Sequence, residues 1–288
     1  MQHQEEVPMN EFPLVSIIVR TCGKPDVLRN AIESIQKQTY PNIEIVIVED
    51  GKNISESFVK KNFSNLNICY HATNRHVGRT KAGNIALQLA GGKYFNFLDE
   101  DDILLEGHVE QLINCLAAAH AKAAYAVAEE QQIRVKSYSP YDFHVKRKFV
   151  RYRHPFNRIL LCYMNIFPIQ SVLFSRDLYD SYGGFNEDLN MLEDWDLWLR
   201  YASHEMFAFE NSITSVYYTP FKNRKKKARD RMLQDAQQTL FENHQKYMLH
   251  MTAQEINDDM NYILNVFHQR TFTVYLRKLY NYLLYKDR

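Results

Sequence analysis

The chain predicts an α/β fold, a mostly parallel sheet with flanking helices, continued by a helical C-terminal extension. Three observations carry this. Short apolar runs alternate with segments of helical periodicity through the first hundred residues. One run, Phe95-Asn-Phe-Leu-Asp-Glu-Asp-Asp102, ends in four consecutive acids. The last part of the chain shows apolar stripes at helical spacing. Strands separated by helix-length segments form βαβ units, whose strands lie parallel.

Val15–Val19 is a compact apolar run, read as a buried strand. After Arg20-Thr-Cys-Gly-Lys24, Pro25 opens a helix, where its missing N–H is no loss. Leu28, Ala31, Ile32 and Ile35 then recur at helical spacing. Pro41-Asn42 breaks the chain, and Ile43–Val48 is a second strand ending at Glu49-Asp50-Gly51. A polar helical stretch leads to a short strand at Ile68–His71. Gly78–Leu89 reads as a helix closed by Gly91-Gly92. Lys93–Leu98 is the strand that delivers the acids, and a helix follows near Glu106–Leu116. Ligands of open parallel sheets bind beyond the carboxyl ends of the strands. Asp50 and the Asp99 cluster both stand there.

The middle is less regular. Ala117–Ala128 passes from helix to strand, and residues 129–160, rich in charges and aromatics, suggest loops and a hairpin. Ile169–Phe174 reads as a strand, Gly183-Gly-Phe185 as a turn, Asp196–Ala202 as a short helix, and Ser212–Tyr218 as a strand ended by Pro220. Lys222–Arg231 holds seven basic residues and one acid. Three helical stripes follow: Met232, Leu233, Ala236, Leu240, Tyr247; then Ile256, Met260, Ile263, Leu264, Phe267; then Phe272, Tyr275, Leu276, Leu279, Leu283. The expected organisation is a tail at 1–11, two halves of one α/β domain at 12–125 and 126–221, and a basic segment with helical extension at 222–288.

Bulk properties narrow the function. The 288 residues are 45% hydrophobic and 24% charged, which fits an ordinary globule. A net charge of +1 disfavours nucleic acid as a partner. The four cysteines, Cys22, Cys69, Cys115 and Cys162, form no CxxC pair, which argues against zinc and for a reducing compartment. The first residues lack a basic region followed by an apolar core, and no run approaches the ~20 apolar residues that span a bilayer. The expected location is cytoplasmic, with the inner face of the membrane as an alternative. The third stripe, with Arg277, Lys278, Tyr280, Tyr282 and Tyr285 around it, suits a membrane surface, a second subunit or the catalytic domain.

Crowded carboxylates raise one another's pKa unless a cation or hydrogen-bond donors compensate. In Asp99-Glu100-Asp101, two acids at period two point the same way if extended, and Mg2+ or Mn2+ favours such oxygens together with substrate phosphates. The same residues also read as a solvated turn capping the next helix. An EF-hand reading fails, because Ile103 and Leu104 occupy places that need a ligand and a glycine. Asp50 can accept hydrogen bonds from a base or ribose, or simply form an Asp-Gly turn. Glu193-Asp194 lies among aromatics, which makes an acid a better proton acceptor; it also reads as a helix cap. Trp195 reads as core or as a platform for a sugar ring.

Five motifs in order resemble the family-2 glycosyltransferases of the GT-A fold. They are Pro13-Leu-Val-Ser-Ile-Ile-Val-Arg-Thr21 with the helix Leu28–Gln38, Pro41-Asn-Ile-Glu-Ile-Val-Ile-Val-Glu-Asp50, Asn84 before Ala90-Gly-Gly-Lys-Tyr-Phe-Asn-Phe-Leu-Asp-Glu-Asp-Asp102, Gly183-Gly-Phe-Asn-Glu187, and Glu193-Asp-Trp-Asp-Leu-Trp-Leu199. The resemblance covers about residues 12–220. It implies a Rossmann-like GT-A domain that transfers a sugar, with inversion, from a nucleoside-diphosphate donor, UDP first, to a saccharide or lipid-linked acceptor in surface polysaccharide assembly, with Mn2+ or Mg2+. Carried over by position, Thr21 borders the nucleotide, Asp50 meets the base, Asp99 faces ribose or metal, and Asp101 binds the metal. Asp194 is the general base, with Glu193 and Trp195 at the acceptor. Asn84 and Lys81 are expected on the donor. Two departures stand out. Gly83 occupies a place where members often carry a diphosphate-binding arginine, so Lys81 or Arg79 substitutes. Tyr217-Tyr-Thr-Pro-Phe221 lacks a histidine that many members use. Two rival readings are a catalytically silent sugar-nucleotide-binding scaffold and a nucleotidyltransferase. The single glycine of Arg20–Lys24 argues against the second.

Overall fold

The computed structural model describes residues 12–189, 191–221 and 226–266, with the backbone alone for 226–231. Among these residues nine strands form one sheet: β1 (Val15–Thr21), β2 (Ile43–Glu49), β3 (Ile68–Ala72), β4 (Tyr94–Asp99), β5 (Ile103–Leu104), β6 (Ala123–Tyr138), β7 (Tyr141–Val150), β8 (Val172–Ser175) and β9 (Phe207–Pro220). Their order is β3-β2-β1-β4-β8-β6-β9-β5, with β7 paired to β6. The first four are mutually parallel, as the βαβ alternation requires. Beyond β4 the sheet is mixed: β8 runs antiparallel to β4 and β6, while β6 and β9 are parallel. β6 crosses the boundary expected at 125/126, so both halves share one sheet.

The helices are α1 (Pro25–Gln36), α2 (Glu56–Asn62), α3 (Arg79–Leu89), α4 (His108–Ala119), α5 (Arg158–Tyr163), α6 (Arg176–Tyr182), α7 (Glu193–Ala202), α8 (Lys226–His244) and α9 (Ala253–Val266). Two apolar cores lie on opposite faces of the sheet. Val15, Ile17 and Val19 pack with α1 and α4 residues such as Leu28, Ile32 and Leu112. Ile18, Val46, Phe95 and Phe97 pack with α3 and α7 residues such as Ala86, Leu87 and Trp198. Alternating side chains of β1 thus feed both cores, which is why the run is apolar apart from Ser16, itself buried and hydrogen-bonded to Glu44. Leu240 of α8 and Ile263 of α9 are buried in the second core, with Tyr247 and Met260 packed against it, so these members of the first two C-terminal stripes pack on the α/β domain, while Met232, Ile256 and Leu264 stay exposed and Phe267 lies outside the described residues. The third stripe, the residues around it and the tail at 1–11 lie outside the described residues, as do the side chains of the basic run.

Strand order reverses between β1 and β4, because β2 and β3 lie to one side and β8 to the other. At such a switch point the connections leave in opposite directions and open a crevice past the strand ends. Arg20 and Asp99 are register partners at that place.

Candidate active site

Each of the four acids after β4 has its own surroundings. Asp99 is gripped by two arginines: Arg20 Nε donates to Oδ1 at 2.8 Å, and Arg79 Nη2 to Oδ2 at 2.8 Å. Both arginines also meet Glu193 Oε1, each at 3.0 Å. Two cations and two carboxylates thus interlock at the switch point, and Arg20 and Glu193 are buried. Burial pushes the Asp99 carboxyl up, but the arginines outweigh it and hold the pKa below the ordinary value. Glu100 gathers the loop after β1, accepting from Thr21 Oγ1 at 2.5 Å, the Cys22 amide at 3.2 Å and Lys24 Nζ at 2.7 Å. Asp102 accepts from the Tyr218 amide at 3.1 Å and so ties the acids to β9. Asp101 has no cationic partner within 4.0 Å among the described residues. Burial, then Asp99 and Glu100, push its pKa up to about 6.

A cleft of about 440 Å³ opens over this network, lined by Arg20, Thr21, Asp50, His76, Arg79, Asp99 and Asp101, with Met232 of α8 at its rim. Asp50 stands at its far side. Its oxygens accept from the amides of Val77 at 2.6 Å and Gly78 at 3.1 Å, and His76 Nδ1 lies 2.7 Å away. It therefore shapes the loop entering α3 as well as facing the cleft.

Asp194, in the first turn of α7, follows Glu193. Asn165 Nδ2 donates to its Oδ2 at 2.9 Å. Burial first, then the neighbouring Glu193, lift its pKa to about 6, against the pull of Arg79 and Arg20. Arg79 is the shared element: Asp99, Glu193, Asp194 and Asp101 all raise its pKa. The distant acids at 99–101 and 193–194 therefore form one electrostatic unit.

The structure brings Thr21, Asp50, Asp99 and Asp101 to one cleft and joins Asp194 to it through Arg79. Four residues expected there have other surroundings. Trp195 is 3% exposed, and its indole N–H donates to Leu161 O at 2.6 Å, so its ring fills the core and presents no face to an acceptor. Glu193 is buried beneath the arginines rather than open to an acceptor. Asn84 turns to the Gly183 loop, accepting from the Phe185 amide at 2.7 Å and donating to Phe185 O at 3.0 Å. Lys81, half exposed, lies 3.9 Å from Glu187. Of the two cations weighed for the diphosphate, Arg79 lines the cleft and Lys81 does not. Gly83 has a packing reason: a Cβ there would meet the Phe185 ring at 2.6 Å. That ring lies tilted against Phe97, centroids 4.8 Å apart, and 5.5 Å from the Arg20 guanidinium.

Sequence reasoning missed Arg20 as a site residue and Glu100 as the loop anchor. A charged residue near the end of a largely apolar strand was the available signal for Arg20. No such signal marks Glu100, because its partners follow from the curl of the loop after β1.

The glycosyl transferase family 2 model matches residues 16–183, more than half of the chain. The chain belongs to glycosyl transferase family 2. An uncharacterized glycosyltransferase of Rickettsia prowazekii is 28% identical over 201 residues, covering 70% of this family-2 chain and 62% of the relative. One from Bacillus subtilis is 29% identical over 194 residues, covering 65% and 68%. The family-2 chain thus spans under two thirds of the Rickettsia relative's length. Among solved structures, S. aureus TarS 1-349 in complex with UDP-GlcNAc superposes with a TM-score of 0.65 at 15% identity, covering 91% of this chain and 75% of that one. The mannosyltransferase PcManGT from Pyrobaculum calidifontis, in complex with GDP-Man and Mn2+, gives 0.56 at 18%, covering 96% and 81%. These likenesses show a GT-A-like fold with a helical C-terminal region.

Among the described residues no three His, Cys, Asp or Glu side chains converge into a ready cation cage. Asp99, spent on two arginines, is poorly placed to serve as a ligand. Asp101 fits another mode, in which Mg2+ or Mn2+ takes one or two carboxylates and fills its shell with substrate phosphate and water.

Proposed function

We propose that this family-2 protein is an inverting glycosyltransferase. It moves a sugar from a nucleoside-diphosphate donor, UDP-linked first, to a hydroxyl of a saccharide or lipid-linked acceptor in surface polysaccharide assembly. Hexosyl and N-acetylhexosaminyl transfer both belong to this reading. The observation that carries the reading is the unit centred on Arg79, which couples a proton acceptor, Asp194, to a diphosphate-sized cleft ending in acids. The S. aureus structure with UDP-GlcNAc and the Pyrobaculum structure with GDP-Man and Mn2+ support the donor class.

Thr21 and Asp50 border the nucleotide, and Arg79 meets the diphosphate. A divalent ion held by Asp101 and the diphosphate would supply charge neutralisation to the leaving group. Asp194, ionised above pH ~6, takes the proton of the attacking hydroxyl as the hydroxyl oxygen bonds to the anomeric carbon and the diphosphate departs. One displacement inverts the centre and needs no enzyme nucleophile. Arg20 and Glu193 hold Arg79 and Asp99 in place. The four free cysteines are in keeping with a reducing, cytoplasmic setting; no helix of the described residues is long and apolar enough to cross a membrane.

The test is a nucleotide-sugar screen by thermal shift with and without Mn2+, followed by transfer assays on an acceptor panel. Stabilisation by a UDP-sugar with release of UDP on transfer is expected. Donor binding with neither hydrolysis nor transfer supports the silent-scaffold reading instead, and pyrophosphate release from a nucleoside triphosphate a nucleotidyltransferase.

A further inference from the structure

A second cleft, of about 640 Å³, lies beyond Asp101, which also lines the first. Its floor is Val27 and Lys24 at the start of α1, and its wall is the β6–β7 hairpin with the end of β9: Arg134, Tyr138, Tyr141 and Tyr218. The hairpin tip bends back over α1, where Ser139 Oγ donates to Asp26 Oδ2 at 2.6 Å, so the cleft is roofed. Asp194 does not line it. The reacting hydroxyl therefore sits elsewhere.

Two features define what the cleft takes. Three tyrosines line it, Tyr138, Tyr141 and Tyr218: Tyr138 and Tyr141 stack at 6.2 Å, and Phe143, outside the lining, lies 5.1 Å from Tyr141 and 5.0 Å from Tyr218. Tyr138 is 60% exposed, and nothing in the core needs its ring. Flat rings with a hydroxyl at the edge suit the apolar face and polar rim of a sugar. The second feature is charge. Residues 131–154 hold seven lysines and arginines against one acid, Asp142. Lys136, Lys148 and Arg151 have carboxylate partners. Arg134, in the cleft wall, and Arg147, stacked on Phe221 beside the lining Pro220, have none within 4.0 Å among the described residues.

We infer that this cleft binds the distal part of an anionic saccharide acceptor, a chain bearing phosphate, sulfate or carboxylate groups, while its reacting end lies at Asp194. The word acceptor rests on the proposed transferase activity; the saccharide-binding cleft does not. Tyr138 and Tyr141 stack on the rings of the chain, and Arg134 and Arg147 read its charge.

The probes are fluorescein-labelled dextran sulfate and unsulfated dextran of the same length, followed by fluorescence anisotropy with the full chain in ~0.15 M salt, where loose surface attraction is screened. The sulfated chain is expected to bind more tightly. Tyr138→Ala and Arg134→Ser each weaken it by about two- to tenfold, and Tyr138→Phe, which keeps the ring, does not. Both side chains are exposed, so melting temperatures stay within about 2 °C of wild type. Failure of dextran sulfate to bind, equal binding of the neutral chain, or wild-type affinity in both variants overturns the inference. Preferential capture by phosphatidylglycerol vesicles that Tyr138→Ala leaves untouched overturns it in favour of a membrane-facing hairpin. UDP affinity, measured in parallel, judges the donor site separately.

Discussion

Replacing Asp194 by asparagine separates catalysis from stability, because the two respond in opposite directions. The folded pKa of about 6 against the ordinary 3.8 means the native state holds this proton more tightly than the unfolded chain. Stability from this group is complete below pH 3.8 and is lost as pH rises through 6. At 1.36 kcal/mol per pH unit the loss at pH 8 is ~3 kcal/mol, and at pH 5 about half that. Asparagine carries no charge to bury, and Asn165 can still donate to its carbonyl oxygen. Asp194→Asn is therefore expected to melt roughly 5 °C or more above wild type at pH 8, with a smaller gain at pH 5. Sugar transfer falls ~10²–10⁴-fold, the usual contribution of a positioned base. Parallel UDP-release kinetics and melting curves at the two pH values decide it. Near wild-type transfer removes Asp194 from the base role, and a lower melting temperature at pH 8 refutes the charge-burial reasoning.

Four further outcomes are expected. The acid limb of kcat/KM should break near pH 6, since Asp194 and Asp101 both titrate there and both act ionised; a profile flat from pH 5 to 8 contradicts it. EDTA should abolish transfer and Mn2+ restore it, and Asp101→Asn should blunt that rescue; full activity in EDTA removes the metal from Asp101. Arg79→Ala should raise the donor KM by about tenfold or more and lower the melting temperature, because Asp99 and Glu193 lose a shared partner; isothermal calorimetry with UDP reads the first effect. Trp195→Ala should cost ~3–5 kcal/mol of stability by denaturant titration, as a core ring does; a stable variant with selective loss of acceptor binding would falsify its core assignment.

Legibility in the sequence followed the range of the interactions. β1, β2, β4 and their helices were readable because burial on both faces favours largely apolar runs, and α3 and α4 repeat at 3.6 residues. The strand expected at Ile169–Phe174 begins only at Val172, because Ile169–Ser171 forms a 3-10 turn before the pairing with β4. The end of β9 beyond Tyr218, and the length of β7, were blurred because one side of the hairpin faces water and lacks an apolar pattern. Asp50, Asp99 and Asp101 could be expected at one cleft because strand ends in parallel sheets face a shared crevice. Trp195 and Asn84 were misplaced for another reason. Position beside a motif does not say which way a side chain turns, and both turn inward to satisfy backbone groups of Leu161 and Phe185. Arg20 and Arg79 are 59 residues apart, and only the folded register shows that they share two acids.

Gly83 and Phe185 are a lock made of two halves. The phenyl ring occupies the volume that an arginine at position 83 needs, so neither site can drift alone without a clash or a hole. Grafting arginine at position 83 into this protein should therefore succeed only if the Phe185 ring shifts or is trimmed.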